Sequence, residues 1–225
     1  MPSFALLLRE FALWPLCLIP EPILLLLGVY KKGKGPSSKI PIVFLHGFLA
    51  TNSGYLLLKW RLEQQGFQIH LPRLGWFAQE KIEVLAERLA QDLERNNIKK
   101  CILLGHSTGG LVGYLYAQQH PSSVTKLIAL GVPFSGSPLA KIAFFSVTAR
   151  QLIPGNPFLR RFKGPKPFKA RAYSVMSAQD EVVPLSSARL RGAKTVRLDG
   201  LGHLELLFSH RTVQALGRIL GDHNS

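Results

Sequence analysis

The sequence predicts an α/β fold: about six strands in one mostly parallel sheet, with helices on both faces. Three observations predict it. From residue 40 onward, short apolar runs alternate with stretches whose apolar residues recur at helical spacing. The apolar runs are nearly continuous, as in strands covered on both faces. At 225 residues the chain is long enough for one such domain and too short for two full-sized ones.

The elements follow in order. Residues 40–45 (IPIVFL) and 66–71 (GFQIHL) read as the first two strands. Residues 79–95 place Ile82, Leu85, Ala86, Leu89 and Leu93 on one helical face, with charges between them. Residues 100–104 (KCILL) form a third strand, followed by a helix over about 108–119. Residues 125–131, 171–177 and 194–198 supply the remaining strands, and residues 204–220 a closing helix. Residues 134–170 break the alternation. A connection that long, with several prolines and glycines, reads as a cap or lid.

The first thirty residues differ from the rest. Residues 4–30 are long and apolar enough to meet a membrane, but Arg9, Glu10 and Glu21 interrupt them and Pro15, Pro20 and Pro22 break them. Three readings follow: a kinked single span, a monotopic anchor lying in one leaflet, or an apolar arm packed on the domain. The start lacks the basic region and cleavage site of a signal peptide. Residues 1–35 are therefore expected to be a membrane-associating segment and linker, with Gly33, Gly35, Pro36, Ser37 and Ser38 as the linker. Lys31, Lys32 and Lys34 follow the run. If it spans, they favour a bacterial inner membrane with the domain, residues 36–225, on the cytoplasmic side.

Charge and composition exclude several classes. Apolar residues make up 47% and charged residues 18%, so the chain is not a disordered one. Its formal net charge of +15 points to an anionic partner. No acidic residue occurs between Arg95 and Gln179, an interval holding twelve Lys and Arg, six of them within residues 160–171. No nucleic-acid-binding motif accompanies that charge, so an acidic lipid surface is the expected partner and nucleic acid is not. Two cysteines, Cys17 and Cys101, both in apolar runs, rule out a disulfide framework and a cysteine zinc site.

The chemistry-bearing signal is Gly105-His106-Ser107-Thr108-Gly109-Gly110, directly after a strand and opening a helix. G-x-S-x-G in that context describes a sharp turn that presents Ser107 at the C-terminal edge of the sheet, with glycines where a Cβ would clash. The alternative is a glycine-rich helix start capped by a serine. An activated serine also needs main-chain donors for an oxyanion. The residue after the nucleophile, Thr108, offers one, and Phe48 in the loop after the first strand the other, with Gly47 allowing close approach. His46 reads as a structural histidine that ties this loop.

Of seven histidines, His203 lies late in the chain, in a loop past the last strand. His70, His120, His210 and His223 are less well placed. Asp180 follows the fifth strand and is the candidate acid, with Glu181 in reserve; Asp199 is too close in sequence to His203 to aim at it well. The order Ser107, Asp180, His203 differs from the chymotrypsin and subtilisin orders.

Together His46-Gly47-Phe48, the Ser107 hexapeptide, Asp180-Glu181-Val182-Val183-Pro184 and Gly202-His203 resemble the α/β-hydrolase superfamily, in its small bacterial lipase and esterase type. The run from Val132 to Ala140 is similar to the Thr-Pro-His-x-Gly-Ser-Pro stretch of such lipases, with Val132 and Phe134 in place of Thr and His. The resemblance covers about residues 39–220. It implies an α/β-hydrolase fold with a short cap at 134–170, and an acyl-enzyme mechanism on lipid-like or small esters. Ser107, His203 and Asp180 would be the triad, and the Phe48 and Thr108 amides the oxyanion donors. It implies no cofactor and no metal; acidic residues are too sparse for a calcium site. The same triad serves thioesterases and acyltransferases, and a silent, membrane-attached interaction protein on this scaffold is the remaining alternative.

Overall fold

The computed structural model describes residues 3–30, 40–75, 80–163 and 171–221. The expected linker, Lys31, Lys32 and Lys34, His223 and residues 164–170 of the basic run lie outside the described residues.

Prolines partition the N-terminal arm. Helix α1 (Phe4–Leu13) opens on a Ser3 cap, whose hydroxyl accepts from the Leu6 amide at 3.3 Å. Pro15 starts a 3₁₀ turn at Trp14–Cys17, and Pro20 and Pro22 set up the six-residue α2 (Glu21–Leu26). Among the described residues no helix is long and apolar enough to cross a membrane. The arm packs on the domain. The Thr51 amide donates to the Cys17 carbonyl at 2.8 Å, and the Thr51 hydroxyl to that of Ile19 at 2.8 Å.

The sheet comes next. Strands β1 (Ile42–Leu45), β2 (Ile69–His70), β3 (Cys101–His106), β4 (Val124–Leu130), β5 (Arg171–Met176) and β6 (Lys194–Arg197) lie in the order β2-β1-β3-β4-β5-β6, every pairing parallel. Side chains alternate across it, so Val43, Leu45, Leu103 and Leu127 enter one core and Ile42, Phe44, Leu104 and Ile128 the other. Helices α4 (Ile82–Arg95) and α5 (Thr108–Gln119) cover the first face. The second is covered by α3 (Leu56–Gln64) and α8 (His210–Gly221).

Two details differ from the sequence reading. Helix α3 was not expected, because its buried stripe is only Leu58 and Leu62 and Trp60 faces outward. The expected closing helix is two pieces, α7 (Glu205–Phe208) and α8, because Ser209 is extended (φ −70°, ψ 135°) and its hydroxyl accepts from the Arg211 amide. The long connection after β4 forms 3₁₀ turns at Pro138–Lys141 and Pro157–Phe162 around α6 (Val147–Gln151). Gln151 fastens it to α4, accepting from the Ile82 amide and donating to Glu83, both at 2.7 Å.

Candidate active site

Parallel strands end their chains at one edge, and loops leaving that edge meet above it. Strand β3 ends in the tightest of these turns. Ser107 has φ 51° and ψ −129°, a conformation that non-glycine residues avoid, and α5 starts at the next residue. Three glycines make the turn possible. A Cβ at Gly105 would overlap the Gly109–Gly110 backbone, and one at Gly109 would overlap the carbonyls of Leu45 and His46. One at Gly110 would run into Val132. The serine is thus held up by backbone packed against backbone.

Tyr55 braces the turn from below. Its hydroxyl donates to the Leu45 carbonyl at 2.7 Å and accepts from the His106 amide at 2.9 Å, joining the ends of β1 and β3. The loop after β1 comes close as well: a Cβ on Gly47 would stand 2.9 Å from the Ser107 Cβ. His46 is buried and donates from Nδ1 to the Gly47 carbonyl at 3.1 Å. Burial holds it down at a pKa of about 4, so it is a neutral tether.

Asp180 and His203 come together from different loops. His203 Nδ1 lies 2.9 Å from Asp180 Oδ2, with both side chains buried. The other carboxylate oxygen accepts from the amides of Val182 and Val183 at 3.0 and 2.7 Å, so the acid is fixed on both sides. Burial alone would depress the His203 pKa. The charge and hydrogen bond of Asp180 outweigh it, helped by Glu181 and Glu10, and hold it above the usual imidazole value. Glu181 accepts from the His203 amide at 3.1 Å. The His106 ring lies against the His203 ring, centroids 4.5 Å apart and tilted by 42°, and donates from Nε2 to the His203 carbonyl at 3.0 Å. Burial, then the nearby His203, pushes the His106 pKa well below the ordinary value, so it stays a neutral donor.

Ser107, His203 and Phe48 line one cavity of about 200 Å³. Its other walls are mainly apolar and include Trp14 and Cys17 from the arm and Leu139 and Leu152 from the cap. Thr108 is fully buried behind the turn and does not line it, so its part would fall to its main-chain N–H. Asp199 is engaged elsewhere, paired with Arg197 at 2.6 Å on the surface. Among the described residues no group of His, Cys, Asp or Glu is arranged to hold a metal ion.

Three contributors were missed by sequence reasoning. Tyr55 and Trp14 carry no local motif. Glu10 was read as an interruption of an apolar run. In the structure its carboxylate is buried and accepts from the Leu204 and Glu205 amides at 2.6 and 2.9 Å, immediately beside His203. An acid inside an apolar segment was the only signal available.

Comparison with known proteins agrees with this architecture. A family model for the alpha/beta hydrolase fold matches residues 40–151. A zebrafish (Danio rerio) protein, sn-1-specific diacylglycerol lipase ABHD11, is 29% identical over 113 residues, covering 44% of this chain and 33% of that protein. The match thus spans about a third of the relative's length. The mature form of the Bacillus licheniformis lipase BlEst2 superposes with a TM-score of 0.70 at 18% identity, over 84% of this chain and 96% of that one. A bacterial membrane phospholipase A does so at 0.65 and 19%, over 84% and 80%. With the all-parallel sheet, the strained serine turn and the loops that gather above it, the chain belongs to the α/β-hydrolase superfamily.

Proposed function

We propose that this chain is a serine hydrolase of carboxylic esters, with lipid-like esters as its substrates. The observation that carries the reading is the buried His203–Asp180 pair opening onto the same cavity as the strained Ser107. Asp180 holds the proton on Nδ1, which leaves Nε2 as the basic nitrogen. That nitrogen takes the Ser107 proton as Oγ attacks the ester carbonyl. The amides of Phe48 and Thr108 receive the oxyanion, and the imidazolium protonates the leaving alcohol. Water then repeats the sequence and frees the acid.

The apolar cavity wall supports a hydrocarbon acyl group over a polar one. The named activities of the zebrafish diacylglycerol lipase and the bacterial phospholipase support the same class. The surroundings support attachment to a lipid surface. Helix α1 keeps Leu6 and Glu10 inward and turns Phe4, Leu7, Leu8 and Phe11 outward, the reverse of an ordinary surface helix. Ile142, Phe144 and Phe145 of the cap are exposed too, and Trp14 and Leu139 bring both apolar surfaces to the cavity. The proposal is monotopic attachment, for which a net charge of +15 favours anionic lipid.

Fluorophosphonate labelling of the purified protein tests the reading. Labelling is expected for the native chain and lost in Ser107→Ala, with ester turnover reduced by a factor on the order of 10³ or more. Vesicles containing anionic lipid are expected to raise the rate on a long-chain ester. Labelling that survives Ser107→Ala would sink the mechanism, and transfer of the acyl group to an added alcohol in preference to water would reassign the chain to acyl transfer.

A further inference from the structure

Arg9 and Glu10 are neighbours on α1, yet the structure treats them oppositely. Arg9 is at the rim, 3.3 Å from Glu205, while Glu10 is buried, with 5% of its surface exposed. A buried carboxylate needs partners, and the domain supplies two. Glu10 Oε2 accepts from the Leu204 amide at 2.6 Å and Oε1 from the Glu205 amide at 2.9 Å. These are the two residues that follow His203. The histidine's own amide goes to Glu181 and its Nδ1 to Asp180. Three carboxylates therefore hold three consecutive amides and the ring, and one of the three comes from a segment about two hundred residues away in sequence.

Gly202 shows how closely the same contact is packed. Its φ lies outside the left-handed region, so its backbone does not demand glycine. The space does: a Cβ there would overlap the Glu10 carboxylate. The chain is cut away immediately before His203 where the arm's acid enters.

We propose that Glu10 is a positioning residue for His203, so that the docked N-terminal arm is a working part of the active site and not only an anchor. This rests on the serine-hydrolase reading given above. The carboxyl fixes the turn that carries the histidine, and once ionised it adds, with Glu181, negative charge behind the imidazole. Trp14 and Cys17, further along the arm, close one wall of the cavity, so docking builds substrate contact and orients the base in one step. An arm that leaves takes all three away.

The test uses the full chain and p-nitrophenyl acetate, a soluble ester that needs no lipid surface. Glu10→Ala is expected to lower kcat by about ten- to a hundredfold with KM changed little, as when a catalytic group is misplaced by a fraction of an ångström. The acid limb of the kcat profile is expected to move to lower pH. The groups facing His203 are Asp180, Glu181, Glu10 and His106; those facing Glu10 are Glu181, His203 and Cys17, with the Arg9–Glu205 pair at the rim. Burial raises the Glu10 pKa to about 7, so the carboxyl is partly ionised over the upper part of the limb, and removing that charge leaves the imidazole less basic. Glu10→Gln keeps an oxygen acceptor and is expected to restore part of kcat while leaving the limb displaced. The same displacement should appear in the NMR titration of the His203 ring in a Ser107→Ala background, where turnover plays no part. A merely structural cap would lower the melting temperature and leave the limb and the ring titration alone. Ser107-dependent labelling and turnover that are equal in folded Glu10→Ala and the native chain would overturn the inference and leave the hydrolase reading standing. Labelling independent of Ser107 would overturn both.

Discussion

The serine turn at residues 105–110 and the arm at residues 3–30 face each other across the cavity, and they are built in opposite ways. The turn is held by main chain against main chain. Three glycines bring β3 and α5 so close that each excluded Cβ would strike backbone or the neighbouring Val132, and the strain falls on Ser107 at φ 51°. The arm is held by side chains and a few long-range hydrogen bonds: Glu10 to two amides, Thr51 to the carbonyls of Cys17 and Ile19. Its outer surface has no partner among the described residues, and Phe4 and Phe11 are exposed. One wall of the site tolerates no added atom. The other is a docked element with a titratable contact at its centre, and such contacts break at lower free energy than a packed core does.

The sharpest way to break the comparison is to add a methyl group to the rigid wall. Gly109→Ala places a carbon on the carbonyls of Leu45 and His46, backbone atoms that cannot swing aside. We expect a loss of stability of about 4 kcal/mol or more, enough to leave little folded protein. Urea denaturation followed by circular dichroism measures it. A variant that folds with native stability would show that the turn has room the packing denies.

Next in size is the acid paired with His203. Asp180→Asn keeps the shape of the loop but removes the charge that aims His203. A fall in kcat of roughly 10²- to 10⁴-fold is expected, with folding retained. The pH profile carries the sign. In the proposed mechanism His203 works as a neutral base, so activity of the native chain is expected to fall as pH drops through its raised pKa. Without Asp180 the imidazole is less basic, and the residual activity should persist to lower pH. A limb that moves upward would mean that another group holds the histidine.

Most of the sheet and the serine turn were legible because they follow from local rules. The central strands are apolar runs, while β6 (KTVR) is mostly exposed, and the Ser107 glycines are dictated by atoms within a few residues or by the neighbouring strand and loop. Helix α3 was not legible, since two buried leucines make too narrow a stripe to stand out. The closing helix was read as continuous because Ser209 breaks it by conformation and not by a proline or glycine. At the site, Ser107, His203, Asp180 and Phe48 were placed by motif order, and the structure brings them to one cavity or one hydrogen bond. Glu10 was not, because its meaning depends on two amides near residue 204, which no local pattern ties to residue 10. Local sterics write themselves into neighbouring residues; a long-range carboxylate leaves one out-of-place letter.

That letter also predicts the smallest of these effects, in stability and not in rate. Burial raises the Glu10 pKa to about 7 from an ordinary 4.5, against the two amides that favour its charge. A carboxyl whose folded pKa is raised binds its proton more tightly in the folded state. Its contribution is therefore full below about 4.5, falls as pH rises towards about 7, and is flat above that. His203, whose pKa is also raised, loses its contribution in the same direction as pH rises through its folded value. The comparison with Glu10→Gln separates the two, because the amide does not titrate. From pH 5 to pH 8 the native chain should lose about 1–3 kcal/mol more than Glu10→Gln does, measured by urea denaturation at each pH. The direction carries the argument. An arm that loosens as pH rises would work against a histidine that becomes a competent base over the same range, so activity would be greatest where both conditions are met. Equal pH dependence in the two proteins would mean that the Glu10 carboxyl titrates as it does in water and that the arm is held by its apolar contacts alone.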